Sequence, residues 1–211
     1  MSLVREVVKD ACVGVAVAGT AEDLTAFLKP GCAAAIWHKQ PSRRFQSWIN
    51  ALAPERLPNG RINLHRGSVR DALTELCKIA DTPDCAERTQ LIDDATALSD
   101  MFTDLMQTQY LRLRLQAVTN NACRKFHIDA ITSRLVCTYR GTGTQYGISR
   151  NGDQPSRVFT VPTGSPILLR GTLWPEKPAS GLLHRSPPIE GTGQTRLVLV
   201  LDPISELECA E

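Results

Sequence analysis

Of the four histidines in this 211-residue chain, two keep company that could do chemistry. In Phe126-His127-Ile128-Asp129 an imidazole and a carboxylate stand two residues apart. On an extended strand that spacing points both side chains to one side, where they can share a metal ion. The second histidine, His184, lies in Leu182-Leu-His-Arg-Ser-Pro-Pro188, and Arg196 follows it by twelve residues. Two histidines and one carboxylate form the facial ligand set of non-haem Fe(II) oxygenases, which leaves three octahedral positions for co-substrate and oxygen. A short His-x-Asp arises by chance in many chains, so its weight comes from context: a distal histidine beyond several strand-like runs, and an arginine able to return beside the site.

The elements that must position these residues change character near residue 106. Before it the period is helical: Phe45, Trp48, Ile49 and Leu52 mark one apolar face, Val69, Leu73, Leu76 and Ala80 a second, and Leu91, Ala95, Leu98, Phe102 and Leu105 a third. Thr20 with Asp23, and Ser68 with Asp71, have capping-box spacing, and Pro83 suits the first position of the third helix. Val13 to Val17 and Ala33 to Trp37 could be short strands. From Gln109 the period becomes two, first in Tyr110-Leu-Arg-Leu-Arg-Leu115 and then over Arg134 to Tyr139, Arg157 to Val161, Ile167 to Arg170 and Arg196 to Leu201. Gly141-Thr-Gly-Thr144 between two of these runs predicts a hairpin turn. The expectation is an α+β chain: a helical section over 1–106 packed on one sheet of a sandwich or jelly roll over 107–203, and an acidic tail over 204–211, together one structural unit.

The same motifs resemble those of known families. His-x-Asp, a distal His and an Arg about ten residues further on are similar to the pattern of the Fe(II)- and 2-oxoglutarate-dependent dioxygenases, and Pro162-Thr-Gly-Ser-Pro-Ile-Leu-Leu-Arg-Gly171 resembles the strand before their distal histidine. More closely, Phe-His-x-Asp with Arg134-Leu-Val-Cys-Thr-Tyr-Arg-Gly-Thr-Gly-Thr144 and His184-Arg-Ser-Pro-Pro188 resembles a bacterial domain-of-unknown-function family, number 1826. The first resemblance implies a double-stranded β-helix, a cupin-like jelly roll, with His127, Asp129 and His184 holding Fe(II). It implies that Arg196 pairs with the distal carboxylate of 2-oxoglutarate and that Tyr139 or Thr138 adds a hydroxyl. The second implies a link to metal homeostasis, and with it an alternative: a zinc-binding accessory jelly roll without catalysis.

Cysteine provides a rival zinc set in Cys123, His127 and Cys137, but structural zinc usually shows two close ligand pairs and only one marginal pair exists here. Arg185, next to His184, should point to the opposite face of its strand, toward solvent or a salt bridge. The composition is that of an ordinary soluble protein, 42% hydrophobic and 22% charged. The net charge of +2 hides an asymmetry: residues 1–106 hold 12 Lys and Arg against 14 Asp and Glu, residues 107–203 hold 12 against 5. Spread over strands with few aromatics, that excess suits an anionic small ligand, with no nucleic-acid partner expected. No apolar run approaches the roughly 20 residues of a membrane span, so no membrane role is expected. Seven cysteines without a C-x-x-C pair, behind an N-terminus that makes a poor signal peptide, predict a cytoplasmic setting. The substrate, a small molecule or a peptide, and the oligomeric state are not specified by these residues.

Overall fold

A computed structural model describes residues 11–149 and 154–205. In β4 (Tyr110–Val118), Leu111, Leu113 and Leu115 face one way and are completely buried. This is what a period-two pattern requires: one sheet face in the core, the other in a different environment. Around β4 lie β1 (Gly14–Ala18), β2 (Cys32–Trp37), β3 (Gly60–His65), β5 (Ser133–Arg140), β8 (Pro166–Arg170) and β10 (Arg196–Ile204). They form a seven-stranded sheet in the order β1-β2-β8-β5-β10-β4-β3, antiparallel except for the parallel β1/β2 pair. A three-stranded sheet comprises β6 (Gln145–Ile148), β7 (Phe159–Thr160) and β9 (Leu182–Arg185), with β6 in the middle.

The helices are α1 (Arg43–Ala51), α2 (Val69–Ile79) and α3 (Ala86–Met106). Their expected apolar faces are buried: Phe45 and Ile49, then Val69, Leu73 and Leu76, then Leu91, Ala95, Leu98 and Phe102 pack against Leu135, Leu168, Leu197, Leu199 and Leu201 of the large sheet. Each such side chain contributes roughly 1.5–3 kcal/mol by leaving water, which holds the helical layer to one face of the sheet. The Ser42 hydroxyl caps α1 by accepting from the Phe45 amide at 3.2 Å. The chain leaves α3 through Gln107, whose left-handed φ of 50° reverses it into β4.

Several expectations are corrected. β1 and β2 fall where short strands were expected, over Val13 to Val17 and Ala33 to Trp37, whereas β3 was not expected, and all three join the large sheet. β3 escaped the pattern because Gly60, Arg61 and Asn63 are weak strand formers; pairing with β4 organises it. Ser68 makes no side-chain cap, a short 3-10 turn over Arg66–Ser68 preceding α2 instead. Pro83 stands three residues before the first helical residue of α3. The Asp23 carboxylate does accept from the Thr20 amide, as the spacing requires, and from Gly19 as well, but the segment it opens, Glu22–Leu28, is 3-10 and not an α-helix. Gly141 to Thr144 is no hairpin: β5 and β6 are in different sheets, and the turn carries the chain between them.

The sheet face away from the helices forms a second core, in which Val136, Ile167, Leu169 and Val198 meet Val161 and Leu182. The candidate site opens at one side of this second core. Among the described residues no helix is long and apolar enough to cross a membrane.

Candidate metal centre

His127 is positioned by two hydrogen bonds and not by a strand. Its amide donates to the His184 carbonyl at 3.1 Å, and the His184 amide donates back at 3.0 Å. This lone antiparallel bridge sets residue 127 beside β9 and brings the two imidazoles to 4.6 Å between ring centres. Asp129 sits in the loop leading to β5. There the Thr172 amide donates to the Asp129 carbonyl, and Gly171 and Leu173 donate to Thr132 and Ile131, all within 3.1 Å. Gly171 is needed for this close approach, because an added Cβ would overlap the Ile131 carbonyl oxygen.

The three side chains converge. His184 Nε2 lies 3.0 Å from Asp129 Oδ2, His127 Nε2 lies 3.5 Å from Oδ1, and the three donor atoms are all within 4.8 Å of one another. His127 Nδ1 is 2.8 Å from the Lys125 carbonyl. A carbonyl only accepts, so the proton is on Nδ1 and the Nε2 lone pair faces the carboxylate, as a metal-binding imidazole requires. Asp129 Oδ2 is buried and accepts no well-aligned hydrogen bond despite its close cations. Two imidazole nitrogens and one buried carboxylate oxygen fit a first-row divalent ion. Burial pushes the Asp129 carboxyl up, but His184, Arg134 and His127 outweigh it and hold it at about 2. Burial likewise keeps His184 below the ordinary histidine range, against the pull of Asp129, so both ligands favour their metal-binding protonation states near neutrality.

Behind the triad runs a chain of ion pairs. Arg134 contacts Asp129 Oδ2 at 2.6 Å, and its Nε and second amino group grip both Asp202 oxygens at 2.6 and 2.8 Å. Asp202 also accepts from Arg114 at 3.2 Å. Sequence reasoning missed Arg134, Asp202 and Arg114 as site residues. Their signal was the alternation itself: 114, 134 and 202 fall on the polar parity of strands whose other parity is leucine-rich, but parity does not say what lies opposite.

A cavity of about 110 Å³ adjoins the histidines, lined by Arg114, Arg134, Arg185, Arg196, Thr144 and Val198 among others. Arg196 is 2% exposed; its Nε donates to the Thr142 carbonyl at 2.6 Å and an amino group donates to the Thr138 hydroxyl at 3.2 Å. It pairs with no carboxylate among the described residues, and burial alone lowers it to about 10, which leaves it charged at neutral pH. Gly141 makes room for it: its φ is +79°, and a Cβ would come within 2.9 Å of Arg196 Cγ.

Tyr139 is a correction. The register of β5 against β10 shifts between Thr138 and Arg140, and Tyr139 turns to the helical layer, where its hydroxyl donates to Asp94 at 2.9 Å. Thr138, on the opposite face, accepts from Arg196 instead. Cys137 likewise packs in the helix-side core, so the Cys123, His127, Cys137 zinc set does not assemble. Arg185 donates to Gln145 at 2.8 Å and stacks 4.4 Å over Phe126, lining the cavity and not facing a counter-charge in solvent.

A mixed α/β fold with a large antiparallel sheet is similar to that of solved 2-oxoglutarate oxygenases. The structure of dioxygenase for auxin oxidation 1 from Arabidopsis thaliana, a 2-oxoglutarate binary complex, superposes with a TM-score of 0.53 at 10% identity, over 92% of this chain and 93% of that one. The rice dioxygenase for auxin oxidation gives 0.52 at 12%, over 92% and 84%. At such identities the likeness is one of fold. The chain belongs to the family described as protein of unknown function (DUF1826), whose pattern matches residues 18–202. No curated protein matches it.

Proposed function

We propose that this protein is an Fe(II)- and 2-oxoglutarate-dependent dioxygenase on a double-stranded β-helix core. The observation that carries the proposal is Arg196, buried, without a carboxylate partner among the described residues and bonded to the Thr138 hydroxyl, in the wall of the cavity that His127 and His184 also line. A zinc-binding accessory protein has no use for that pair, whereas a dicarboxylate co-substrate does: guanidinium geometry suits bidentate capture of a carboxylate. The winding supports the core assignment. From β4 onward the chain visits the large sheet, the small-sheet side at His127, the large sheet at β5, the small sheet at β6 and β7, the large at β8, the small at β9 and the large again at β10.

Bound at this site, Fe(II) would activate O2, one oxygen atom going to 2-oxoglutarate as it loses CO2 to give succinate and the other oxidising the substrate. The chain's own residues set the geometry. The Thr142 carbonyl holds the Arg196 fork so that its remaining N-H groups and the Thr138 hydroxyl face one ligand carboxylate. Arg134 keeps Asp129 ionised and oriented. The Lys125 carbonyl keeps the His127 proton on Nδ1. The small volume, below that of a typical ligand pocket, suits small ligands. The six described cysteines are all free, which supports a reducing, cytoplasmic setting. The basic excess of the second half is spent partly inside this cavity, which supports a small anionic ligand over nucleic acid.

The test is anaerobic titration of Fe(II) with 2-oxoglutarate, watching for the weak visible charge-transfer band. The band is expected in the native chain, and a normal band in a His127→Ala, Asp129→Ala double variant would sink the proposal. Arg196→Gln should weaken 2-oxoglutarate at least about tenfold, the loss expected for a charge-assisted pair, and leave Fe(II) affinity little changed.

A further inference from the structure

The cavity holds more cationic groups than the metal and co-substrate can use. Four arginines line it, and no aspartate or glutamate does among the described residues. Asp129 and Asp202 stand behind the wall, two carboxylates against four guanidiniums. If the dioxygenase reading holds, Fe(II) and 2-oxoglutarate bring opposite double charges and leave this excess of two untouched. Uncompensated charge in a partly dry cavity is costly, so an anion there is favoured.

The arginines are not equivalent. Arg134 spends its whole fork on Asp202 and Asp129. Arg196 is committed to Thr142 and Thr138. Arg185 is covered by Phe126 and bonded to Gln145. Arg114 alone of the four has a buried Nε with no hydrogen-bond partner, and it holds Asp202, already gripped twice by Arg134, through a single 3.2 Å bond. It pairs across β4 and β10 with Val200, four residues along from Arg196, or about 13 Å at the rise of an antiparallel strand. The two guanidiniums are therefore rooted at separate places in the cavity wall. Arg114 also lies at the Arg134 and Asp202 end of the sheet, the end that carries Asp129.

We propose that Arg114 is the recognition residue for the primary substrate, and that this substrate carries an oxyanion, a carboxylate or a phosphate, which docks on Arg114 beside the metal centre. The assignment of Arg196 to the co-substrate, and hence of Arg114 to the substrate, rests on the dioxygenase reading. The presence of an oxyanion site at Arg114 does not. Burial, and then repulsion from Arg134, depress the Arg114 pKa, a penalty that a bound anion would relieve.

The experiment uses the metal-free full chain, with inorganic phosphate and acetate as separate probes and acetamide as the neutral control. The readout is the set of arginine Nε-H resonances, that of Arg114 being identified by its disappearance in Arg114→Lys. One of the two anions should move the Arg114 resonance saturably, and the tighter of them names the oxyanion. Acetamide should not move it. In Arg196→Gln the shift should persist, and in Arg114→Gln calorimetric affinity for that anion should fall at least tenfold. Arg114→Lys, which keeps a cation facing Asp202, should stay folded and retain binding within a few-fold. An Arg114 resonance that neither anion moves, or an Arg114→Gln chain that is folded and binds as the native one does, overturns the proposal. Titration with Fe(II) and 2-oxoglutarate under argon is a separate arm: if it shows no binding while an anion still moves Arg114, the dioxygenase reading fails and the oxyanion site stands.

Discussion

Asp202 is the residue on which the site's electrostatics turn, although it touches no candidate ligand. It is 2% exposed and receives three hydrogen bonds from Arg134 and Arg114. Asp202→Asn leaves both cations buried without their counter-charge and should cost about 3–5 kcal/mol, measured by urea denaturation. Because Arg134 orients Asp129, the same change should weaken metal binding about 10- to 100-fold, as loss of a supporting partner does elsewhere. Lost stability with an unchanged metal titration would show that Arg134 does not orient Asp129. The triad itself has a pH signature. Asp129, held at about 2 in the fold, is depressed relative to an unfolded carboxyl, so its contribution is present above about pH 4 and is lost as pH falls toward 2. The metal-free chain should lose about 2 kcal/mol over that interval, and an Asp129→Ala variant should lack this component of the profile.

At the scale of elements, single-residue devices decide which side chains meet. Strand alternation in β5 turns Tyr139, with Leu135 and Cys137, to the helices and Thr138 to Arg196 on the other face, so two neighbouring hydroxyls that looked interchangeable have separate environments. The turn after β8 holds the loop of Asp129, and Gly171→Ala should push that loop away. The expected result is a loss of about 1–3 kcal/mol by denaturation and a clear fall in metal affinity, since the clash is with backbone and cannot be relieved by a rotamer. Thiol chemistry should report the same parity. Burial raises Cys137 to about 12 and Cys77 to about 11, whereas Cys123 is exposed. A thiol reagent at pH 8 should label Cys123 in the folded chain and spare Cys137 and Cys77 until denaturant is added, as mass spectrometry of the labelled peptides would show.

For the molecule as a whole, the large sheet separates stability from chemistry. One face carries the helices and most of the apolar core; the other carries the second core and the candidate site. Phe102→Ala, in the middle of the helical face, should therefore cost about 3–5 kcal/mol by urea denaturation and leave the metal affinity of the remaining folded protein within a few-fold. The same division explains the charge asymmetry. The acidic first half supplies the helical layer, whose polar side faces water, and the basic second half supplies the strands that wall the cavity.

The cluster of His127, Asp129 and His184 was legible from residue type and order, because ligand chemistry restricts which side chains can hold a metal, but strand alternation did not place it, since Asp129 lies in a loop. The three helices and the strands of the second half were legible for a similar reason: a periodicity in apolar residues is a local property of the chain. What only the tertiary structure decided was everything that depends on pairing between distant segments. The bridge that aligns His127 with His184, the strand Gly60–His65 and the placement of Gly141 to Thr144 between sheets all follow from pairing. The convergence of Arg134 and Arg114 on Asp202 does too, joining three strands whose residues are 68 and 88 positions apart in the chain. A sequence shows that a residue is polar and on a given parity, but which charge balances it is set by whatever backbone hydrogen bonding brings to the neighbouring strand.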